Sequence, residues 1–180
     1  MTVLDSVWPE VVAEHVRAAV GATRAHALRH ERFAPCSGCF ECWIAHPGTC
    51  KASDAANDVM RDVVGSSEVV WVTRPRHGCW DSLAKQALDK CLGLISPFFG
   101  TEHGETHHHT RYGRFPRFGV VAVVDPDETP EDRERFRRLF ARNAVNFHSD
   151  QPWVAFVSPG AGREEVAEAI AAAKGSPWLG

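Results

Sequence analysis

Residues Glu68-Val69-Val70-Trp71-Val72-Thr73 form the most informative stretch of this sequence. The run is nearly continuously apolar, which is typical of a strand buried on both faces of a parallel sheet. Two later runs, Phe118 to Val124 and Trp153 to Val157, have the same character. We therefore expect the three runs to lie in one sheet with helices on both of its faces.

Amphipathic segments alternate with these apolar runs. Apolar residues recur at helical spacing from Trp8 to Val20, and Gly21 is expected to end that helix. Further helices are predicted over 53–64, 82–90 with Asp81 as N-cap, 130–147 behind Thr129, and 164–173, and further strands over 2–5 and 23–29. Five strands that alternate with five helices predict a doubly wound α/β fold in one domain, residues 1–180.

The ligand site of such a fold lies past the carboxyl ends of the strands, where the strand order reverses. In this chain those positions are the loops that follow Asp5, Arg29, Thr73, Val124 and Val157. The two segments with the most unusual chemistry, 36–50 and 73–82, both fall there. Residues 101–117 are predicted to be a long polar loop.

The composition narrows the class of protein. The chain has 180 residues, 44% of them hydrophobic and 24% charged, and a formal net charge of −3. A net negative charge does not attract the phosphate groups of nucleic acids or of anionic lipids, so we expect no nucleic-acid and no membrane partner. The first residues lack the basic and apolar regions of a secretory signal. These features favour a cytoplasmic protein, in which cysteines act first as thiols or metal ligands.

Four of the six cysteines lie in a compact motif, Cys36-x2-Cys39-x2-Cys42-x7-Cys50. This spacing suits an iron–sulfur cluster, because a short loop can then reach several corners of it. Structural zinc is usually held by two separated pairs of ligands, so zinc is less favoured. Free or redox-active thiols that shape the loop are the main alternative to a cluster, ahead of zinc. Cys79 and Cys91 stand apart and are expected to be small buried hydrophobic residues.

With these residues in view, the sequence resembles the NADPH-dependent FMN reductase and iron–sulfur flavoprotein family of the flavodoxin-like superfamily. The resemblance covers nearly all of the chain. It rests on 35–43, 46–50, 58–60, 67–73 with Gly78, Ser82, Lys85 and Asp89, 104–108 with Arg111 and Tyr112, and 142–146.

The resemblance implies a flavodoxin-like fold with five parallel strands in the order 2-1-3-4-5, commonly in a dimer or other homo-oligomer. It implies FMN over the strand ends and NAD(P)H as co-substrate, with a small molecule or a protein as electron acceptor. It also implies a four-iron, [4Fe-4S], cluster on Cys36, Cys39, Cys42 and Cys50. The predicted function is a flavin-dependent oxidoreductase.

Two departures from the family pattern concern the flavin. The phosphate-binding loop is shortened to Asp5-Ser-Val-Trp-Pro9, where Asp5 would repel a phosphate and Pro9 removes a donor. Arg76 replaces the aromatic residue that usually lies beside the ring, and Arg74 and Arg76 together could hold an anion. The candidate flavin residues are Ser6, Thr73, Arg76, His77, Gly78 and Trp80. A chain that has lost FMN and serves as a binding or assembly partner is the alternative function.

Two further groups of residues have more than one interpretation. His103 and His107 to His109 could bind a metal ion, but the resemblance favours a loop that borders a flavin or a dimer partner. The arginines between 133 and 142 alternate with acidic residues, which is typical of a solvated helix face.

Overall fold

The computed structural model describes residues 1–102 and 104–176. Its elements, in chain order, are β1 (Thr2–Asp5), α1 (Val11–Val20), β2 (Arg24–Ala27), α2 (Ala56–Val64), β3 (Glu68–Thr73), α3 (Ser82–Lys90), β4 (Ile95–Glu102), β5 (Glu105–Thr110), β6 (Arg117–Val123), α4 (Pro130–Asn146), β7 (Trp153–Val157) and α5 (Arg163–Gly175). Short 3-10 turns follow β2 and α3.

Five of the strands form one parallel sheet in the order β2-β1-β3-β6-β7. When only these five strands are counted, the order is 2-1-3-4-5, as expected. The strand β3 lies at the centre and all six of its residues are buried. Its continuous apolar sequence is explained by helices on both sides, since neither face meets water.

Each face of the sheet has its own core. On one face α2, α3 and α4 cover the sheet, with Met60, Ala84 and Phe136 packed against Trp71 and Phe118. On the other face α1 and α5 cover the alternate side chains of the same strands, such as Val70 and Val121. The expectation of helices on both faces is confirmed.

Local sequence signals account for the helix ends. The Asp81 carboxylate accepts from the backbone N–H groups of Leu83 and Ala84 and so caps α3, as predicted. The Thr129 hydroxyl accepts from the Asp132 N–H, and Pro130 starts α4. Gly21 adopts the left-handed conformation that ends α1. Trp8, predicted on the first helix, instead precedes α1 and is exposed.

The prediction of a polar loop over 101–117 is wrong for its first part. Strands β4 and β5 pair antiparallel as a separate hairpin, with Phe99 opposite His108 and Glu102 opposite Glu105. Gly104 takes a positive φ of 80° at the tip, which is the conformation that a tight turn requires. The polar composition of β5 concealed the hairpin, because a strand of a two-stranded hairpin outside the main sheet buries few apolar side chains.

The cysteine loop, residues 36–50, belongs to a long excursion between β2 and α2. The excursion is closed at its base, where the Asp54 carboxylate accepts from the Ala34 N–H and the Ala55 N–H donates to the Arg32 carbonyl. Within the described residues, no helix has the length and apolar character needed to cross a membrane.

Candidate functional site

Ser6 and Thr73 meet at the carboxyl ends of β1 and β3, where the strand order reverses. Both hydroxyls donate to the Asp81 carboxylate, Thr73 at 2.5 Å, and the Arg74 N–H donates to the same oxygen at 3.3 Å. Ser6 also donates to the Val72 carbonyl at 3.2 Å. The structure therefore brings these two predicted flavin residues together around a carboxylate of the chain itself.

The shortened loop after β1 is rich in buried and paired charge. Asp5 is fully buried between Arg17 and Arg29, and burial raises its pKa despite both arginines. Glu10 pairs with Arg29 and His30, and these contacts lower its pKa to about 2. The cations near the start of α1 are thus already paired with carboxylates.

The loop after β3 turns toward β6. Arg74 binds Asp125 with two nitrogens, and Arg76 reaches the same carboxylate at 2.8 Å. His77 and Gly78 form a tight turn with positive φ, and a Cβ on Gly78 would lie 2.8 Å from the Arg135 side chain. The anion that these arginines hold in this structure is Asp125.

Trp80 lies in the core instead of lining a surface. Only 5% of it is exposed, and its ring meets Trp71, Phe136 and Phe140 edge to face. Its indole N–H donates to the Asn143 Oδ1 at 2.9 Å. This set of contacts explains the residue by packing alone.

The four cysteines of the motif converge on one cavity. Cys36, Cys39, Cys42 and Cys50 all line a largely apolar space of about 400 Å³. Burial raises the pKa of the Cys42 thiol, and the negative charges of Cys50, Cys36 and Cys39 raise it further. All six cysteines of the chain are free thiols. Among residues 1–102 and 104–176, no three potential ligand side chains are close enough to hold a single metal ion.

A buried lysine lies against this cavity. The Lys90 ammonium lies 3.2 Å from Asp54 and 3.5 Å from the Cys50 sulfur, and its side chain is 4% exposed. Burial disfavours the charge on Lys90, but Asp54 and Cys50 outweigh this and raise its pKa. Lys51, paired with Glu41, adds a second positive charge near Cys39 and Cys50. The cavity is therefore suited to anionic sulfur.

The thiols differ in their ease of ionisation. The Glu41 backbone N–H lowers the pKa of the exposed Cys39 thiol, and Ser37 and Lys51 act in the same direction. Burial raises the pKa of Cys91 to about 12, so that thiol is chemically inert, as predicted. Cys79 is exposed, and the prediction that it is buried is wrong.

The cysteine loop is held to the hairpin and to the 3-10 turn that precedes it by polar and aromatic contacts. The Trp43 indole donates to the Leu92 carbonyl at 2.9 Å. The Arg111 guanidinium donates to the carbonyls of Gly93, Ile95 and Cys42. The Trp43 ring lies 4.9 Å from the His108 ring.

The described histidines of the hairpin do not converge on one point. His107 is buried and hydrogen-bonded to Asn146 and Glu105, whereas His109 is exposed. Neighbouring residues of a strand point to opposite faces, so His108 lies on the other face, against Phe99 and Trp43. The His109 ring lies over Gly100, whereas His107 bonds Asn146. His103 lies outside the described residues. The arginines of α4 pair with acids on the same helix, as Arg138 does with Glu134, in agreement with a solvated face.

Two site residues, Asp54 and Lys90, were not singled out by the sequence except as helix-end candidates. Their pairing joins positions 36 residues apart, so no local pattern reveals it. Asp81 was predicted only as a cap, because its contact with Ser6 spans 75 residues.

A parallel five-stranded sheet in this order, covered on both faces, is the flavodoxin-like arrangement. Solved structures share it. An FMN-dependent NADH-azoreductase from Bacillus anthracis, strain Ames Ancestor, in complex with FMN matches over 96% of this chain and 95% of its own, at 11% identity and a TM-score of 0.61. An NAD(P)H:quinone oxidoreductase from Methanothermobacter marburgensis matches over 97% and 96%, at 13% identity and a TM-score of 0.58.

General stress protein 14 from Treponema denticola, in complex with FMN, matches over 95% of this chain and 94% of its own, at 17% identity and a TM-score of 0.52. At such low identities the likeness shows the fold. No protein-family model and no curated protein sequence matches the chain.

Proposed function

We propose that the protein is a flavin-dependent oxidoreductase that transfers electrons from NAD(P)H to a small-molecule or protein acceptor. FMN is its flavin, and a [4Fe-4S] cluster on Cys36, Cys39, Cys42 and Cys50 is its second redox centre. The fold supports the first part of the proposal, because the solved structures that share it include an FMN-dependent NADH-azoreductase and an NAD(P)H:quinone oxidoreductase. The proposal includes a homo-oligomer in the cytoplasm.

The observation that carries the proposal is the cysteine cavity, which fits a cluster better than a single ion. Each cysteine of a cluster binds a different iron atom, so the four sulfurs surround the group without meeting at one point. A zinc ion would need them all at about 2.3 Å from one centre. The described residues hold no such tight group, whereas all four thiols line one space.

The chain's own residues would tune this centre when it is bound. A cluster supplies one-electron transfer, and its thiolate ligands bring net negative charge. Lys90 at 3.5 Å from the Cys50 sulfur, and Lys51 nearby, offset that charge and favour the reduced form. Leu92 and the stem of Lys90 line the same cavity and contribute to its largely apolar wall.

The loop after β1 does not fit the FMN phosphate. The Ser6 hydroxyl donates its hydrogen bond to the Asp81 carboxylate. Asp5, Glu10 and Asp81 place three carboxylates around the position where a phosphate would lie. A dianion there would have to displace an internal anion from Ser6 and Thr73. The proposal therefore assigns no phosphate ligand to this loop. The family-derived flavin residues Arg76, His77, Gly78 and Trp80 stay predictions.

The same observation favours a second candidate function, a flavodoxin-like protein that has lost FMN and acts as a binding or assembly partner. In that protein the Asp81 hydrogen bonds would be a permanent closure of the ancestral ligand crevice. The two functions predict different contents for the purified protein: iron, sulfide and flavin for the oxidoreductase, and no flavin for the partner protein.

The test is chemical analysis of protein that is purified without oxygen. We expect about four iron and four sulfide ions per chain, and a visible absorption band that NADPH or NADH bleaches in the presence of FMN. Cys39→Ser should lose the iron and the band. The matched control is Cys79→Ser, which removes an exposed thiol outside the cavity and should keep both.

Colourless protein after anaerobic reconstitution with iron, sulfide and FMN would overturn the proposal in favour of the partner function. One zinc ion per chain, with neither iron nor flavin, would identify a zinc-stabilised domain instead.

A further inference from the structure

An open groove lies between α3, the end of α4 and the β4–β5 hairpin. Its volume is about 580 Å³, and its walls combine apolar side chains such as Leu88, Phe99 and Phe147 with charged and polar ones such as Lys85, Asp89 and His107. Asn143 and Asn146 bring amide groups to the same space. A concave space of this size in which apolar walls and polar groups meet is a usual form of a small-molecule site. We refer to it as the hairpin groove.

Asn143 presents a hydrogen-bond donor to the hairpin groove. The Trp80 indole N–H donates to one end of the Asn143 amide at 2.9 Å, and since an indole nitrogen only donates, that end is the oxygen. The amide NH2 group of Asn143 is therefore left at the other end. In the part of the chain that the structure describes, no acceptor is bonded to it. A carbonyl oxygen of a ligand would supply the missing acceptor.

His108 and Phe99 stack on each other at one wall of the hairpin groove. Their ring centres are 4.3 Å apart, and the rings are inclined by 33°. The Nδ1 atom of His108 is buried, and no described residue is bonded to it. Phe99 itself is 62% exposed, so one face of its apolar ring is accessible from the groove and from solvent. A planar aromatic ligand would stack on the outer face of Phe99, which His108 does not cover.

The hairpin groove adjoins the cysteine cavity. Cys36, Asp89 and Leu92 line both spaces, so a ligand in one lies directly beside the contents of the other. The crevice at the ends of β1 and β3, by contrast, is bridged by the hydrogen bonds of Ser6 and Thr73 to Asp81. Of the crevice and the hairpin groove, the groove is therefore the one in which a ligand would not have to break hydrogen bonds of the protein.

We propose that the hairpin groove binds a flat aromatic ring that carries carbonyl oxygens, the chemistry that flavin rings and quinones share. The inference rests on the proposed function for the role of the ring, which would exchange electrons with the centre on the four cysteines. The binding of the ring is inferred from the residues of the groove alone and does not depend on the proposed function. The phosphate of FMN takes no part in this recognition.

The test is equilibrium dialysis of the purified, reduced protein against lumiflavin, a flavin ring without phosphate, and separately against duroquinone, a quinone with no free ring position to which a thiol could add. Phe99→Ala removes the stacking wall, and Asn143→Asp keeps the acceptor for Trp80 but removes the NH2 donor. Each change should weaken binding about tenfold, the effect of losing one good contact. Phe98→Ala is the matched control, because Phe98 is 72% exposed and is not part of the groove.

Binding of lumiflavin alone would identify the groove as the flavin site, and binding of duroquinone alone would identify it as the acceptor site. Binding of both would support the shared chemistry. The inference is overturned if neither binds, or if Phe98→Ala and Phe99→Ala weaken binding equally. Groove binding in a protein that lacks iron and sulfide would leave this inference standing while the cluster proposal fails.

Discussion

Asp125 is the carboxylate that the two arginines of the loop after β3 hold. Arg74 donates to it from Nε at 3.1 Å and from a second nitrogen, and only 16% of the Asp125 side chain is exposed. Asp125→Asn should lower the free energy of unfolding by about 1–2 kcal/mol, because a charge-assisted pair with partial burial is lost. Urea denaturation at neutral pH measures this difference.

The effect of Asp125→Asn on stability depends on pH, because the pKa of Asp125 is lowered in the folded protein. Hydrogen bonding to Arg74 lowers the pKa of Asp125 below its usual 3.8, so the pair stabilises the folded state above that pH. The difference between wild type and Asp125→Asn should shrink as pH falls through the lowered pKa. Asp58→Asn is the control: its partner Arg61 is 71% exposed, and the change should be within about 0.5 kcal/mol. Equal effects of the two variants would contradict the prediction.

The sequence predicted residues whose roles are local and missed those whose partners are distant. Asp81 and Thr129 were identified as helix caps because each precedes the helix that it caps. The same Asp81 also holds Ser6 and Thr73, and the Arg74 partner lies 51 residues away. Such contacts depend on strand order and register, which a single sequence does not contain.

At the level of strands, Gly119 on β6 makes room for Trp153 on β7. The two residues are opposite each other in the parallel register, and a Cβ on Gly119 would lie 2.2 Å from the Trp153 ring. That ring is fixed by the Glu68 carboxylate, which accepts from its indole N–H at 2.8 Å, and by Lys174 above its face. The Trp153 side chain is buried and held by both contacts, so it does not readily shift to make room for a Cβ.

Gly119→Ala should therefore destabilise the protein by about 3 kcal/mol, the upper range for overpacking a core. The free energy of unfolding from urea titration gives the value. Gly160→Ala serves as the control, since a Cβ there meets no atom within 4 Å, and it should change stability by less than about 0.5 kcal/mol. A Gly119→Ala variant as stable as Gly160→Ala would show that Trp153 can move aside.

The strands and helices of the main sheet were predictable because burial on both faces leaves a strong apolar pattern. The bounds of β3 and of α3 agree with the sequence prediction. The hairpin was missed, since Glu105 to Thr110 is a polar strand without an apolar pattern of its own. It is stabilised by its pairing with β4. The same hairpin forms one wall of the groove, so the candidate ligand site was also beyond local patterns.

At the level of the entire chain, the structure consists of a wound sheet and a side layer made of the cysteine loop and the hairpin. Arg111 joins the parts of this layer, because its guanidinium donates to Gly93 at 2.9 Å, Ile95 at 3.2 Å and Cys42 at 3.4 Å. A lysine cannot reproduce this fork, since its ammonium is a single point of donation. Arg111 therefore determines how firmly the cysteine loop is closed.

Arg111→Lys should let the cysteine loop open without unfolding the sheet, because local openings cost less free energy than global unfolding. In metal-free, reduced protein, alkylation of Cys42 should become about tenfold faster, the consequence of losing hydrogen bonds to a charged group. Cys91 reports global unfolding, since it is fully buried on the sheet side, and its rate should not change. Arg114→Lys, an exposed substitution three residues later, is the control. Parallel acceleration of Cys42 and Cys91 would mean that the side layer and the sheet open as one unit, and peptide mass spectrometry of the alkylated protein distinguishes the two outcomes.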